Sequence, residues 1–164
     1  MHIVWVLEVK GSAMSHMRGA LEKSDEHYTP KWLFDRMGIE FDLDVAAPTG
    51  GSHVPARKYY TQEDDGLIQP WFGCVWMNPP FSKPSPWVDK FIANGNGIAL
   101  CVVSKSKWFQ ALWNASDAIV PTDRTMKFER PDGNKKTISF QTFLFAMGNQ
   151  SVQAINRLEG YKVR

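Results

Sequence analysis

The 164-residue chain has little of several features that would assign a protein quickly. It carries two cysteines, Cys74 and Cys101, both in apolar runs and neither in a Cys-x-x-Cys pair. Disulfide frameworks and zinc sites need paired or clustered cysteines, so both are read as reduced core thiols of a cytosolic protein, and no metal site is expected. No apolar stretch approaches the ~20 residues of a membrane span. Residues 1–9 are apolar but lack a basic start and a small-residue cleavage site, which argues against a signal peptide. They read as a short strand, a loose arm, or an extension ahead of a later start at Met14 or Met17; residues 1–24 are taken as a flexible or irregular arm. The net charge is only +2, so any surface for a polyanion must be local. There is no internal repeat and no low-complexity tract, and residues 25–164 are expected to form one domain.

What is present is ordinary globular composition, 43% hydrophobic and 22% charged. Aromatic residues reach 13%, with seven Trp, which fills a core and also suits stacking on bases. Pro30 opens a predicted helix with Thr29 as its cap, Trp32, Leu33, Phe34 and Met37 as its apolar face, and Gly38 at its end. Strands are expected at 41–45, 58–61, 74–77 and 97–103, and helices at 86–93 and 107–114. A strand beginning at 118–120 is expected to resume near 125–128. The turn Pro131-Asp132-Gly133-Asn134 then leads into a long β-rich run over 137–146. Strands alternating with helices predict an α/β fold with a largely parallel sheet; the closing hairpin adds an antiparallel strand at or near an edge.

The run Asn78-Pro79-Pro80-Phe81 directly follows the predicted buried strand at 74–77. In open α/β sheets ligands bind beyond the carboxyl ends of strands, so this run belongs at that rim. The exocyclic nitrogen of adenine is a weak nucleophile because its lone pair is delocalised into the ring. The Asn78 side-chain oxygen and the Pro79 carbonyl can accept its two hydrogens and favour a more tetrahedral nitrogen. Neither Pro79 nor Pro80 has an N–H, and their fixed φ stiffens the loop. Phe81 offers a ring on which a base can stack. The bland alternative is a tight turn after a strand.

Several acids suit the donor of a methyl group. Asp42 and Asp44 alternate along the predicted first strand and are expected to share a face. Asp44, at the strand end and followed by the small residues Ala46 and Ala47, can receive the methionyl ammonium of S-adenosylmethionine. Asp64 and Asp65 follow the second strand candidate and can bind ribose hydroxyls or the donor's adenine amino group. Tyr28, Thr29 and Pro30 can pack against the donor from the N-terminal side. Capping of local turns, a solvated acidic turn and a plain helix start are the competing readings.

The order of these segments resembles the phage-type DNA adenine methyltransferase (Dam) family. The matching runs are Tyr28-Thr29-Pro30, Phe41-Asp42-Leu43-Asp44-Val45-Ala46-Ala47-Pro48, Tyr60-Thr61-Gln62-Glu63-Asp64-Asp65-Gly66-Leu67, Trp71-Phe72-Gly73-Cys74-Val75-Trp76-Met77-Asn78-Pro79-Pro80-Phe81 and Trp108-Phe109, spread over about 25–148. The resemblance implies a class I methyltransferase (Rossmann-like) sheet with helices on both faces. It also implies S-adenosylmethionine as donor, adenine in DNA as acceptor, and a phage or prophage enzyme working in the cytoplasm of a bacterial host. By position, it implies that Asp44 and Asp65 touch the donor and that Asn78, Pro79 and Phe81 hold the base. Two departures stand out: Val45 replaces a frequent proline, and Gly50-Gly51 comes late where many methyltransferases place a Gly-x-Gly loop.

A duplex hides adenine, so the base must be flipped out or the substrate single-stranded. Lys83, Lys105 and Lys107 follow strands at the expected rim. The turn between the last two strands is flanked by Arg124, Lys127, Arg130, Lys135 and Lys136, and this basic hairpin is the expected DNA contact; a plain solvated charge cluster is the alternative. With no length left over for a separate recognition domain, short or relaxed sequence specificity is expected. Amino methylation of RNA or of a protein glutamine, and a non-catalytic DNA-binding module of the same fold, are the rival functions. A monomer is assumed.

Overall fold

The computed structural model describes residues 27–130 and 132–158, so the N-terminal arm and Pro131 lie outside the described residues. Among the described residues there are four helices, α1 (Lys31–Met37), α2 (Ser85–Asn94), α3 (Lys107–Ala115) and α4 (Asn149–Asn156). Strands β1 (Phe41–Asp44), β2 (Ala56–Tyr59), β3 (Val75–Met77), β4 (Gly97–Val102), β5 (Ala118–Pro121) and β8 (Thr142–Met147) form one sheet in the order β2-β1-β3-β4-β8-β5. A separate ribbon pairs β6 (Phe128–Glu129) with β7 (Lys135–Lys136).

β1 to β4 run parallel. β8 is antiparallel to both β4 and β5, so β5 runs with the first four strands. The expected antiparallel strand is therefore next to the edge, with β5 outside it. The apolar run of β4 is buried along almost its whole length, as a central strand covered on both faces must be.

Side-chain alternation divides the core in two. Trp76, Ile98, Leu100, Leu144 and Ala146 face α1 and α4, meeting Phe34, Met37 and Ile155. Val75, Met77, Ala99, Cys101 and Phe145 face α2 and α3, meeting Val88, Phe91 and Leu112. Helices thus cover both faces. Trp76 lies edge-on to Phe34 at 4.8 Å between ring centroids, and Phe41 is 5.6 Å away.

Several expectations needed correction. Thr29 does not cap α1: the capping position is Pro30, with no side-chain cap bond, and the Thr29 hydroxyl is buried without a partner among the described residues. Gly38 does end α1, in the left-handed region at φ +57°, its N–H reaching the Phe34 carbonyl. β5 does not resume at 125–128 within the main sheet. Asp123 Oδ1 accepts the Thr125 N–H and hydroxyl, both at 2.6 Å, and this turn carries the chain out to the ribbon. The run at 137–146 becomes strand only from Thr142, where β4 supplies a partner in register with Val102. β2 begins earlier than expected, at Ala56, opposite Phe41. Helix α4 has no counterpart in the sequence reading; it is polar in composition, starts after Gly148 with no side-chain cap, and is held by burial of Ser151, Ala154 and Ile155.

Candidate active site

Parallel pairing places the ends of β1, β2, β3 and β4 at one rim of the sheet. Asp44 lies opposite Trp76, so the chain after Met77 leaves the sheet beside the turn after Asp44. Asp44 is 2% exposed. Its Oδ2 accepts the Ser52 hydroxyl at 2.6 Å, and its Oδ1 accepts the Ala46 N–H at 3.3 Å. Burial pushes its pKa from an ordinary 3.8 up to about 6, and the two hydrogen bonds offset only part of that. No cation pairs with it among the described residues.

Asp42 is placed differently, although it is only two residues away. Its Oδ2 accepts the Cys74 N–H at 2.8 Å, level with the start of β3, and its Oδ1 lies 3.7 Å from Arg57 Nη1. It ties together the amino end of the sheet, whereas Asp44 stands at the other end.

The acidic turn is brought to Asp44 by a close backbone approach. A Cβ on Gly66 would sit 2.1 Å from the Val45 carbonyl, so only glycine lets the turn pack there. Lys90 of α2 donates to the carbonyls of Gly66, Leu67 and Gln69, and the Trp71 indole N–H donates to Gly66 O at 2.7 Å. Within the turn Asp64 is occupied locally. It accepts the Thr61 N–H at 2.8 Å and hydroxyl at 3.0 Å, and these bonds hold its pKa below the ordinary value. Asp65 is exposed, has φ +53°, and its side chain accepts only the Leu67 N–H among the described residues.

On the β3 side, Asn78 Nδ2 donates to the His27 carbonyl at 2.7 Å. Its donor end is thereby engaged and its Oδ1 receives no hydrogen bond among the described residues. The Lys83 N–H closes a turn onto the Pro80 carbonyl at 3.2 Å. The Phe81 ring stacks on His27 at 5.2 Å and 22°. Tyr28 pairs through its backbone with Glu129 of β6 and sets its ring 5.1 Å from His53. Burial lowers the His53 pKa against the opposing effect of its hydrogen bond to the Thr29 backbone. The segment 27–30 therefore bridges the loop at 78–81, the loop carrying Ser52 and His53, and the ribbon.

Because β5 runs parallel to β1–β4, the segment 122–141 emerges at this same rim. Lys83, Lys105, Lys107, Arg124, Lys127, Lys135 and Lys136 are exposed, and Arg130 is half-buried. Lys135 pairs with Glu129 at 3.3 Å. The Arg130 N–H reaches the Asn134 carbonyl and the Gly133 N–H the Arg130 carbonyl, which closes the ribbon turn.

The residues singled out from sequence thus divide. Asp44, Ala46, Asp65, residues 28–30 and residues 78–81 gather at the carboxyl rim; Asp42 does not, and Asp64 serves its own turn. Ser52, His27 and His53 were not singled out. Ser52 lay in a segment legible only as a polar loop. His27 carried no spacing that marked it.

The family described as DNA N-6-adenine-methyltransferase (Dam) matches residues 16–149. A curated DNA N-6-adenine-methyltransferase of Haemophilus phage HP1 (strain HP1c1) is 32% identical over 130 residues, covering 71% of this chain and 74% of that protein. Another, of Escherichia phage T1, is 34% identical over 114 residues, covering 63% of this chain but only 45% of that protein, so the match spans less than half of that relative. The matched span contains every residue gathered at the carboxyl rim, and the chain belongs to the DNA N-6-adenine-methyltransferase (Dam) family.

Proposed function

We propose that this chain transfers a methyl group from S-adenosylmethionine to the N6 amino group of adenine in DNA, on a class I methyltransferase (Rossmann-like) fold. Family membership carries the reaction. The single structural observation that supports the mechanism is the Asn78 amide, anchored through its nitrogen, with an oxygen that receives no hydrogen bond among the described residues. The strand order, with β8 inserted antiparallel between β4 and β5, supports the class I reading. Residues 25–164 act in this reading as one domain, and residues 1–24 as an arm.

The donor fits the β1 end of the rim. Asp44 is a buried carboxylate without a cationic partner among the described residues, and the methionyl ammonium is the missing cation. Asp65 is placed to meet ribose hydroxyls or the adenine amino group, and the turn after β1 supplies the small residue Ala46. When bound, S-adenosylmethionine supplies an electrophilic methyl carbon on a sulfonium.

On the acceptor side, Asn78 Oδ1 and the Pro79 carbonyl accept the two amino hydrogens. That withdraws the nitrogen lone pair from the ring and aims it, so catalysis rests on positioning and electrostatics. Pro79 and Pro80 keep the loop stiff and free of competing N–H donors. Phe81 supports the flipped base by stacking. Lys83, Lys105, Lys107 and the ribbon residues Arg124, Arg130, Lys135 and Lys136 contact phosphates and set the register of the DNA. Among the described residues no helix is long and apolar enough to cross a membrane. In this reading the enzyme works in the cytoplasm of a bacterial host, which the phage origin of its relatives supports.

The deciding experiment is transfer of tritiated methyl from S-adenosylmethionine to unmethylated DNA, with RNA and protein as parallel acceptors, followed by base-resolved mapping. Label at adenine N6 is the expected result. Label confined to RNA or protein, or none at all, overturns the reading. One long recognition sequence would overturn the further expectation of short or relaxed specificity.

A further inference from the structure

We infer that His27 is a positioning residue for the base loop, setting the Asn78 amide and the Phe81 ring together. The inference rests on the reading of residues 78–81 given above. Three contacts converge on His27, and a fourth anchors its neighbour. Its carbonyl accepts Asn78 Nδ2 at 2.7 Å, which fixes the amide with Oδ1 left for an incoming amino group. Its ring stacks on Phe81 at 5.2 Å and 22°, which fixes the tilt of the ring proposed to stack on the base. The same imidazole stands edge-on to Phe128 of β6 at 6.0 Å and 87°. The next residue, Tyr28, exchanges both backbone hydrogen bonds with Glu129 at 2.8 and 2.9 Å.

His27 is thus held on one side by the ribbon and holds the base loop on the other. Amide orientation and ring tilt are the two variables on which in-line transfer to a stacked base depends, and small misplacements of a reacting group are costly in rate. The chemistry of the ring itself is not used. His27 Nδ1 is buried and has no partner among the described residues. A histidine held by its aromatic faces, with a buried nitrogen unsatisfied, is replaceable by phenylalanine; a histidine acting as acid, base or hydrogen-bond donor is not.

The test compares wild type, His27→Ala and His27→Phe in methyl transfer from S-adenosylmethionine to unmethylated DNA, with donor affinity and Tm measured on the same samples. His27→Ala is expected to lose about tenfold in kcat with donor affinity unchanged and Tm lowered by only a few degrees, the scale of a lost aromatic contact. His27→Phe is expected to stay within about threefold of wild type, because stacking and the carbonyl both persist. Wild-type kcat in His27→Ala overturns the inference. So does a His27→Phe variant as slow as His27→Ala, or a loss of kcat that follows donor affinity and Tm. A wild type that labels no DNA overturns the functional reading, and this inference with it; the variants are scored only against an active wild type.

Discussion

The two ends of the main sheet treat their polar groups in opposite ways. At the amino end, Asp42 has a backbone N–H at 2.8 Å and the guanidinium of Arg57 nearby. At the carboxyl end, Asp44 is buried without a cation, Asn78 Oδ1 is unengaged, and Thr29 Oγ1 and His27 Nδ1 are buried without partners among the described residues. Two aspartates in one four-residue strand therefore carry different loads. One stabilises the fold; the other keeps a charge where folding alone gains nothing from it. Unsatisfied buried polarity costs about 1–3 kcal/mol per group, and its concentration at one rim supports the donor and base sites proposed there.

The sharpest break of this contrast is at the base loop. Asn78→Ala is expected to lower methyl transfer by about 10²–10³-fold with donor binding retained, measured by tritium incorporation and donor titration. Retained activity would remove the amide from the mechanism.

Next comes the pair of aspartates. Asp44→Asn is expected to weaken S-adenosylmethionine binding by about 30-fold or more, since the donor's ammonium loses its counter-charge. Asp42→Asn should leave donor affinity unchanged and cost about 1 kcal/mol of stability, the scale of one weakened hydrogen bond and a surface ion pair. Equal effects of the two substitutions on donor affinity would erase the distinction.

A pH series sharpens it further. The folded pKa of Asp44, about 6, lies above its ordinary 3.8, so between these values the folded state binds more protons than the unfolded one. The group's penalty is full above pH about 6 and fades as pH falls through 6 toward 4. The stability gained by Asp44→Asn without donor is therefore expected to be about 2 kcal/mol larger at pH 7.5 than at pH 4.5, read by denaturant unfolding. Donor affinity of the wild type should fall below pH about 6, as Asp44 takes up a proton, and that dependence should vanish in Asp44→Asn. A pH-independent difference would mean that burial does not raise the Asp44 pKa.

The smallest effects belong to the ribbon. Lys136→Ala and Arg124→Ala should each raise the KM for DNA about two- to threefold and reduce the salt slope of binding by about one, without changing kcat. An unchanged slope would return these residues to plain solvated charge.

Much of this was legible from residue order. The apolar run of β4 and the short buried β3 ahead of Asn78 announced a parallel sheet with its chemistry at the strand ends. Apolar periodicity found α2 and α3. Periodicity failed where a partner or a turn decided: 137–141 is as β-prone as β8 but has no neighbouring strand, and Asp123 turns the chain out of the sheet by a side-chain bond. Helix α4 was missed because its composition is polar and its burial depends on the sheet beneath it. At the site, the acids and the Asn-Pro-Pro-Phe run were visible as types of residue. Their division between structural and functional work was not, since Asp42 and Asp44 read alike along the strand.

By itself, then, the sequence determined the layered α/β plan, the place of the Asn-Pro-Pro-Phe run after a buried strand, and the family, because strand ends, rigid prolines and motif order are local and one-dimensional. The tertiary structure decided which acid stays uncompensated, which backbone carbonyl turns the Asn78 amide, and that His27 lies between ribbon and loop. These depend on burial and on contacts between segments as far apart as 27 and 128, and the cost of a buried charge or the tilt of a stacked ring exists only once those segments meet.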